Sequence, residues 1–169
     1  MRAWAVRHAQ GPHAYFWLAV VSFSEASFFP VPPDVLLVSM LLTSAKRWFF
    51  QSFWTTLFSV LGAIFGYGIG LFFFDLFGEP VVALYHLEDE MALVGKHFSE
   101  NAFATIFLAA FTPIPFKVFT LSAGLFKINF FIFVIASIFG RGIRFFAIGL
   151  IFRLYGEKIG AFAYKYFNL

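Results

Sequence analysis

The sequence predicts an all-α integral membrane protein: an inverted repeat of a re-entrant helical hairpin plus a transmembrane helix, closed by a C-terminal interfacial helix. Three observations carry that fold class. The chain is 61% hydrophobic and 12% charged, with 29 Phe and a mean hydropathy of +0.84, more apolar surface than one soluble core of 169 residues can hide. Trp48 to Phe74 and Ile128 to Phe152 are apolar runs long enough to cross about 30 Å of hydrocarbon, which takes about 20 helical residues. Finally, Phe28, Pro30, Pro32, Val35, Ser39 and Leu42 recur 83 residues later as Phe111, Pro113, Pro115, Val118, Ser122 and Leu125.

The first repeat occupies about residues 14–74 of a single membrane domain, 1–169. Ala14 to Phe29 and Val35 to Ala45 are too short to cross singly, and Pro30, Pro32 and Pro33 interrupt any continuous helix between them. Together they read as a hairpin that turns near mid-membrane. Arg2 and Arg7 ahead of apolar sequence could open a signal peptide, but the run enters Phe28-Phe29-Pro30 without a small-residue cleavage site, so the segment is expected to stay. Trp48 to Phe74 follows as a spanning helix. Gly62, Gly66 and Gly70 form a ridge along it, for which close helix packing is expected and homo-oligomer formation is the alternative.

Residues 75–101 form a polar loop holding Asp75, Glu79, Glu88, Asp89, Glu90 and Glu100. The second repeat, about 102–152, has Ala102 to Thr112 and Val118 to Phe126 as its hairpin and Ile128 to Phe152 as its spanning helix. Pro30, Pro32, Pro113, Pro115 and Gly124 are expected to break the hairpins. From 153 to 169, Tyr155, Ile159, Phe162 and Tyr166 form an apolar stripe against Glu157, Lys158 and Lys165, the pattern of a separate amphipathic helix lying on the membrane.

Arg2, Arg7, Lys46, Arg47, Arg153, Lys158 and Lys165 fall on one side of this topology, against Lys96 and Lys127 on the other. That bias predicts cytoplasmic N- and C-termini in a multi-pass protein of the bacterial inner (plasma) membrane. It does not separate re-entrant from fully spanning short segments, because both give the same sidedness.

Glu25, Asp34, Lys117, Arg141 and Arg144 lie inside apolar segments. Left in lipid the five would cost roughly 12–18 kcal/mol, so they are expected to converge or to reach water. Arg141 and Arg144 share a helix face, and the repeat makes Asp34 and Lys117 equivalent, which would bring them together at the hairpin tips. Two acids against three bases leave one positive charge for an anionic ligand to cancel. In this reading Arg141, Arg144 and Lys117 hold the phosphate of that ligand, while Glu25 and Asp34 balance the cations or relay protons.

Other chemistry finds no support in the residues. There is no cysteine, and His8, His13, His86 and His97 are scattered, so neither metal nor cofactor is expected. No nucleophile, base and orienting group stand at useful spacing, so the chain is not read as an enzyme. Basic residues at segment edges orient a membrane protein and do not form a nucleic-acid patch.

The pattern Glu25-x-x-x-Phe29-Pro30-x-Pro32-x-Asp34, then Phe111-x-Pro113-x-Pro115-x-Lys117 to Ala123-Gly124, then Gly140-Arg141-x-x-Arg144-Phe145, resembles the DedA family, also called the VTT or SNARE-associated membrane domain, and its short YqaA-like branch. The likeness covers about residues 14–152. It departs from the fuller pattern at Ala110, where an arginine is common, and at Pro115, which replaces a Pro-Gly turn. The resemblance implies facing re-entrant hairpins with essential buried acids and arginines. It also implies a role in moving lipids or lipid carriers such as undecaprenyl phosphate, with suspected proton coupling. The expected function is a transporter or flippase for an anionic lipid or polyprenyl-phosphate headgroup. The alternative is a non-transporting protein of envelope integrity or assembly, in which the buried charges are structural.

Overall fold

The computed structural model describes residues 13–27, 32–73, 76 and 88–167, and among these all regular structure is helical. The helices are α1 (Ala14–Ser27), α2 (Asp34–Thr43), α3 (Trp48–Phe73), α4 (Glu88–Glu100), α5 (Ala102–Phe111), α6 (Phe116–Leu125) and α7 (Phe130–Phe167), with a 3-10 turn at Ala45–Arg47 before α3. Two stretches, Ala45–Phe73 and Phe130–Gly156, are long and apolar enough to cross a membrane. At about 1.5 Å per residue, α2, α5 and α6 reach only about 15 Å each, half the hydrocarbon thickness.

Local chemistry sets the boundaries. Helix α5 stops at Thr112, whose extended backbone (φ −81°, ψ 165°) is the conformation that a following proline imposes, here Pro113. Helix α6 opens directly after Pro115. It closes in a left-handed turn at Lys127 (φ 49°), where the Lys127 and Ile128 N–H groups donate to the carbonyls of Gly124 (3.0 Å) and Ala123 (2.9 Å). Those two bonds satisfy carbonyls that a helix end leaves open. Two residues on, Asn129 Oδ1 accepts the N–H groups of Phe131 (3.0 Å) and Ile132 (3.2 Å) and so caps α7.

Packing follows the repeat. Helix α1 lies on α3 as α5 lies on α7, and α6 lies on α3 as α2 lies on α7, while α3 and α7 pack on each other. Two apolar clusters hold the short helices. Leu18, Leu36, Leu37, Leu41 and Phe145 belong to the first; Ile106, Phe116, Ile128 and Phe133 belong to the second, as does Ala26 of α1. The glycine ridge of α3 is used within the chain. A Cβ on Gly62 would strike the Phe23 carbonyl of α1, and one on Gly70 the Leu121 carbonyl of α6. At such close approach short polar links form between helices. Ser27 Oγ donates to Gly62 O (2.9 Å), Thr120 Oγ1 to Ala26 O (3.0 Å) and Ser52 Oγ to Phe145 O (3.0 Å). Outside this core, large apolar side chains stand exposed, among them Phe16, Phe72 and Phe131.

Two expectations are corrected. No helix starts at Arg153: α7 runs unbroken from Phe130 to Phe167, because no proline or glycine pair interrupts the backbone where the composition turns amphipathic. Gly124 does not break a hairpin. It lies inside α6, where a Cβ would meet the Tyr67 carbonyl of α3, so its small size permits helix contact.

Candidate functional site

The break in each hairpin places a charged residue at the start of a short helix. Asp34 is the first residue of α2 and Lys117 the second of α6, so both sit where backbone N–H groups lack intrahelical acceptors. Glu25 comes from the opposite kind of position, the last turn of α1. Arg141 and Arg144 are three residues apart on α7 and share a face.

These five side chains converge. They line one cavity of about 420 Å³ together with Pro32, Pro113, Ile114 and Pro115. Pro30 lies outside the described residues. Arg141 Nη2 is 3.0 Å from Glu25 Oε2 and donates to Glu25 Oε1 at 3.3 Å. Arg144 Nη2 donates to Asp34 Oδ2 at 2.6 Å, and Arg144 Nη1 donates to the carbonyl of Thr112. Arg144 thus holds the start of α2 and the residue that precedes the Pro113-Ile114-Pro115 turn at the same time.

The two pairs differ in depth. The Arg141 and Glu25 side chains are 3% and 14% exposed, against 16% and 25% for Arg144 and Asp34. The Arg141 guanidinium carbon also lies 4.4 Å from the centre of the Phe116 ring and 5.7 Å from that of Phe145. Aromatic faces attract a desolvated cation, so this arginine is held on two sides. Arg141 Nε, Glu25 Oε2 and Asp34 Oδ1 are sealed from solvent and make no hydrogen bond among the described residues.

Lys117 does not pair with Asp34, contrary to what equivalence in the repeat suggests. Asp34 is taken by Arg144, whose planar fork reaches a carboxylate and a carbonyl together, whereas a lysine offers one point charge. Lys117 makes no ion pair with any described residue, yet it lines the cavity. The excess positive charge therefore sits on one side chain.

Sequence reasoning missed three contributors. The Thr112 carbonyl is a backbone group, Phe116 is one among 29 Phe, and Phe145, though it ends the Gly140-Arg141-x-x-Arg144-Phe145 pattern, gains a role only from its placement against Arg141. Ser39 has no place in the chemistry: its hydroxyl donates to the Val35 carbonyl of its own helix at 2.7 Å. Among the described residues no three of His, Asp and Glu gather so as to hold a metal ion.

A family model described as the VTT domain matches residues 31–154. An uncharacterized protein of Haemophilus influenzae is 40% identical over 148 residues, which cover 88% of this chain and 77% of that protein. A second, from Histophilus somni, is 34% identical over the same shares, and one from Methanocaldococcus jannaschii is 28% identical over 78% of this chain and 79% of its own. No solved structure matches the chain.

Proposed function

This chain belongs to the VTT-domain family, also known as DedA, and we propose that it is a bacterial inner-membrane transporter that carries an anionic lipid or polyprenyl-phosphate headgroup across the bilayer. The observation that carries the reading is the cavity, with its two neutralised acid–arginine pairs and one remaining cation, Lys117. A partly buried site with one uncompensated positive charge is stabilised by an anion. The two Pro-broken turns add helix N-termini, whose free N–H groups favour negative ligands.

Membrane placement rests on the two long apolar helices and on the exposed phenylalanines, which lipid solvates and water does not. In this reading the short helices are re-entrant and the repeats inverted, with one spanning helix between them and both termini cytoplasmic. The hairpin tips then meet near mid-membrane, and alternating exposure of the cavity moves the headgroup. Glu25 or Asp34 couples the movement to protons. No step requires bond chemistry by the protein, a metal or a cofactor.

The test is translocation by the purified protein in liposomes, with fluorescent phospholipid and polyprenyl-phosphate probes at two pH values. Wild type moves an anionic probe; Arg141→Ala and Glu25→Ala insert into the membrane and do not. Equal rates for wild type and both variants would remove the transport reading.

A second reading has one specific observation in its favour: both acids already hold an arginine, as structural ion pairs do. In that case the chain supports envelope integrity or assembly and moves nothing. Loss of folding in those variants, with no translocation by wild type, would select it.

A further inference from the structure

We propose that the phosphate group of the ligand is gripped by Lys117 and Arg144, in exchange for the Arg144–Asp34 contact, while Arg141 stays on Glu25 and never touches it. The inference rests on the transport reading and assigns the anion-contacting residues of that same site.

The helix dipoles make the two ion pairs unequal. Glu25 lies in the last turn of α1, where carbonyl groups point outward and a carboxylate is repelled, so it depends on Arg141. Arg141 is in turn held by Phe116 and Phe145, and its free Nε is sealed from anything in the cavity. Asp34 stands at the opposite kind of terminus. As the first residue of α2 it is favoured by its own helix dipole, and first-turn N–H groups are at hand when Arg144 turns away.

Lys117 has the reverse problem. A cation in the first turn of α6 opposes the dipole, and among the described residues it has no acidic partner. An anion beside it satisfies the ammonium and the helix end together. Arg144 lines the same cavity and presents the fork that suits phosphate oxygens.

Arg144 holds both Asp34 and the Thr112 carbonyl, so its transfer to an anion loosens the tips of both hairpins in one step. Ligand entry and opening are then a single event.

The chain has no cysteine, so labels can be placed at will. Binding of inorganic phosphate and of dihexanoyl phosphatidate to the purified protein in nanodiscs would be measured for wild type, Lys117→Gln, Asp34→Asn and the remote surface variant Lys96→Gln. Lys117→Gln loses about tenfold or more in affinity, the worth of one charge-assisted hydrogen bond. Asp34→Asn gains affinity several-fold, because a competitor for Arg144 is gone, and Lys96→Gln matches wild type. Binding of both probes identifies the phosphate group as the recognised element; binding of the phosphatidate alone identifies a lipid as the source, and of phosphate alone the free ion.

Spin labels on Val35→Cys and Ile114→Cys would move apart as either probe saturates. Weaker binding by folded Asp34→Asn, unchanged binding by Lys117→Gln, or a fixed label distance at saturation overturns the assignment, even where liposome translocation persists and the transport reading stands. Absence of binding by wild type overturns it as well.

Discussion

Glu25 and Arg141 are 116 positions apart in the chain, and their charged groups meet at 3.0 Å in the best-shielded ion pair of the cavity. Removing one partner leaves the other charged and nearly dry, which costs about 3–5 kcal/mol. Arg141→Ala and Glu25→Ala are each expected to lower the detergent melting temperature sharply. The double variant Glu25→Ala with Arg141→Ala loses less than the sum of the two single losses, with a coupling above about 1 kcal/mol in the double-mutant cycle. Additive losses would contradict the contact.

The Asp34–Arg144 pair is more exposed, so breaking it falls between the range of about 1 kcal/mol for surface pairs and that of buried ones. Arg144→Lys keeps the charge but cannot serve Asp34 and the Thr112 carbonyl together. Its expected signature is a modest fall in melting temperature with faster hydrogen exchange at the Thr112 and Val118 amides, which are hydrogen-bonded on either side of the proline turn, read by mass spectrometry.

Glycines along α3 differ in a way that a pair of substitutions separates. Gly62→Ala drives a methyl into the Phe23 carbonyl and should cost about 1–3 kcal/mol or more as α1 is pushed off α3. Nothing lies within 4 Å of a Cβ at Gly68, so Gly68→Ala should be neutral or stabilise by up to about 1 kcal/mol through helix propensity. Thermal unfolding in one detergent decides both.

The cap at Asn129 is a local test. Asn129→Ala removes the acceptor for two N–H groups at the start of α7 and should destabilise by about 1 kcal/mol. Asn129→Asp retains the cap and should stay within a few tenths of wild type.

Depth separates re-entrant from spanning hairpins. A bimane label on Ile114→Cys is expected to be quenched more by lipids carrying a nitroxide deep in the acyl chain than by headgroup nitroxides. The opposite order would place the tip at a membrane surface and argue for full spans.

Much of the helical layout was legible in the sequence because proline, apolar run length and turn residues act locally. The break at 113–115, the long helices at 48–73 and from 130, and the starts of α2 and α6 just after Pro33 and Pro115 all follow from backbone rules that need no partner. Where local rules were silent the reading failed. The composition changes at Arg153 but the helix does not, and Gly124 looks like a breaker until Tyr67 is placed against it.

By itself the sequence determined that five ionisable groups lie in apolar surroundings with one positive charge in excess, since counting charges requires no geometry. Only the tertiary structure decided which acid takes which arginine. Partner choice depends on distance, helix-end dipole and side-chain shape. Asp34 went to the fork of Arg144 and not to its counterpart in the repeat, Lys117, because α7 brings that guanidinium within reach of both the start of α2 and the Thr112 carbonyl.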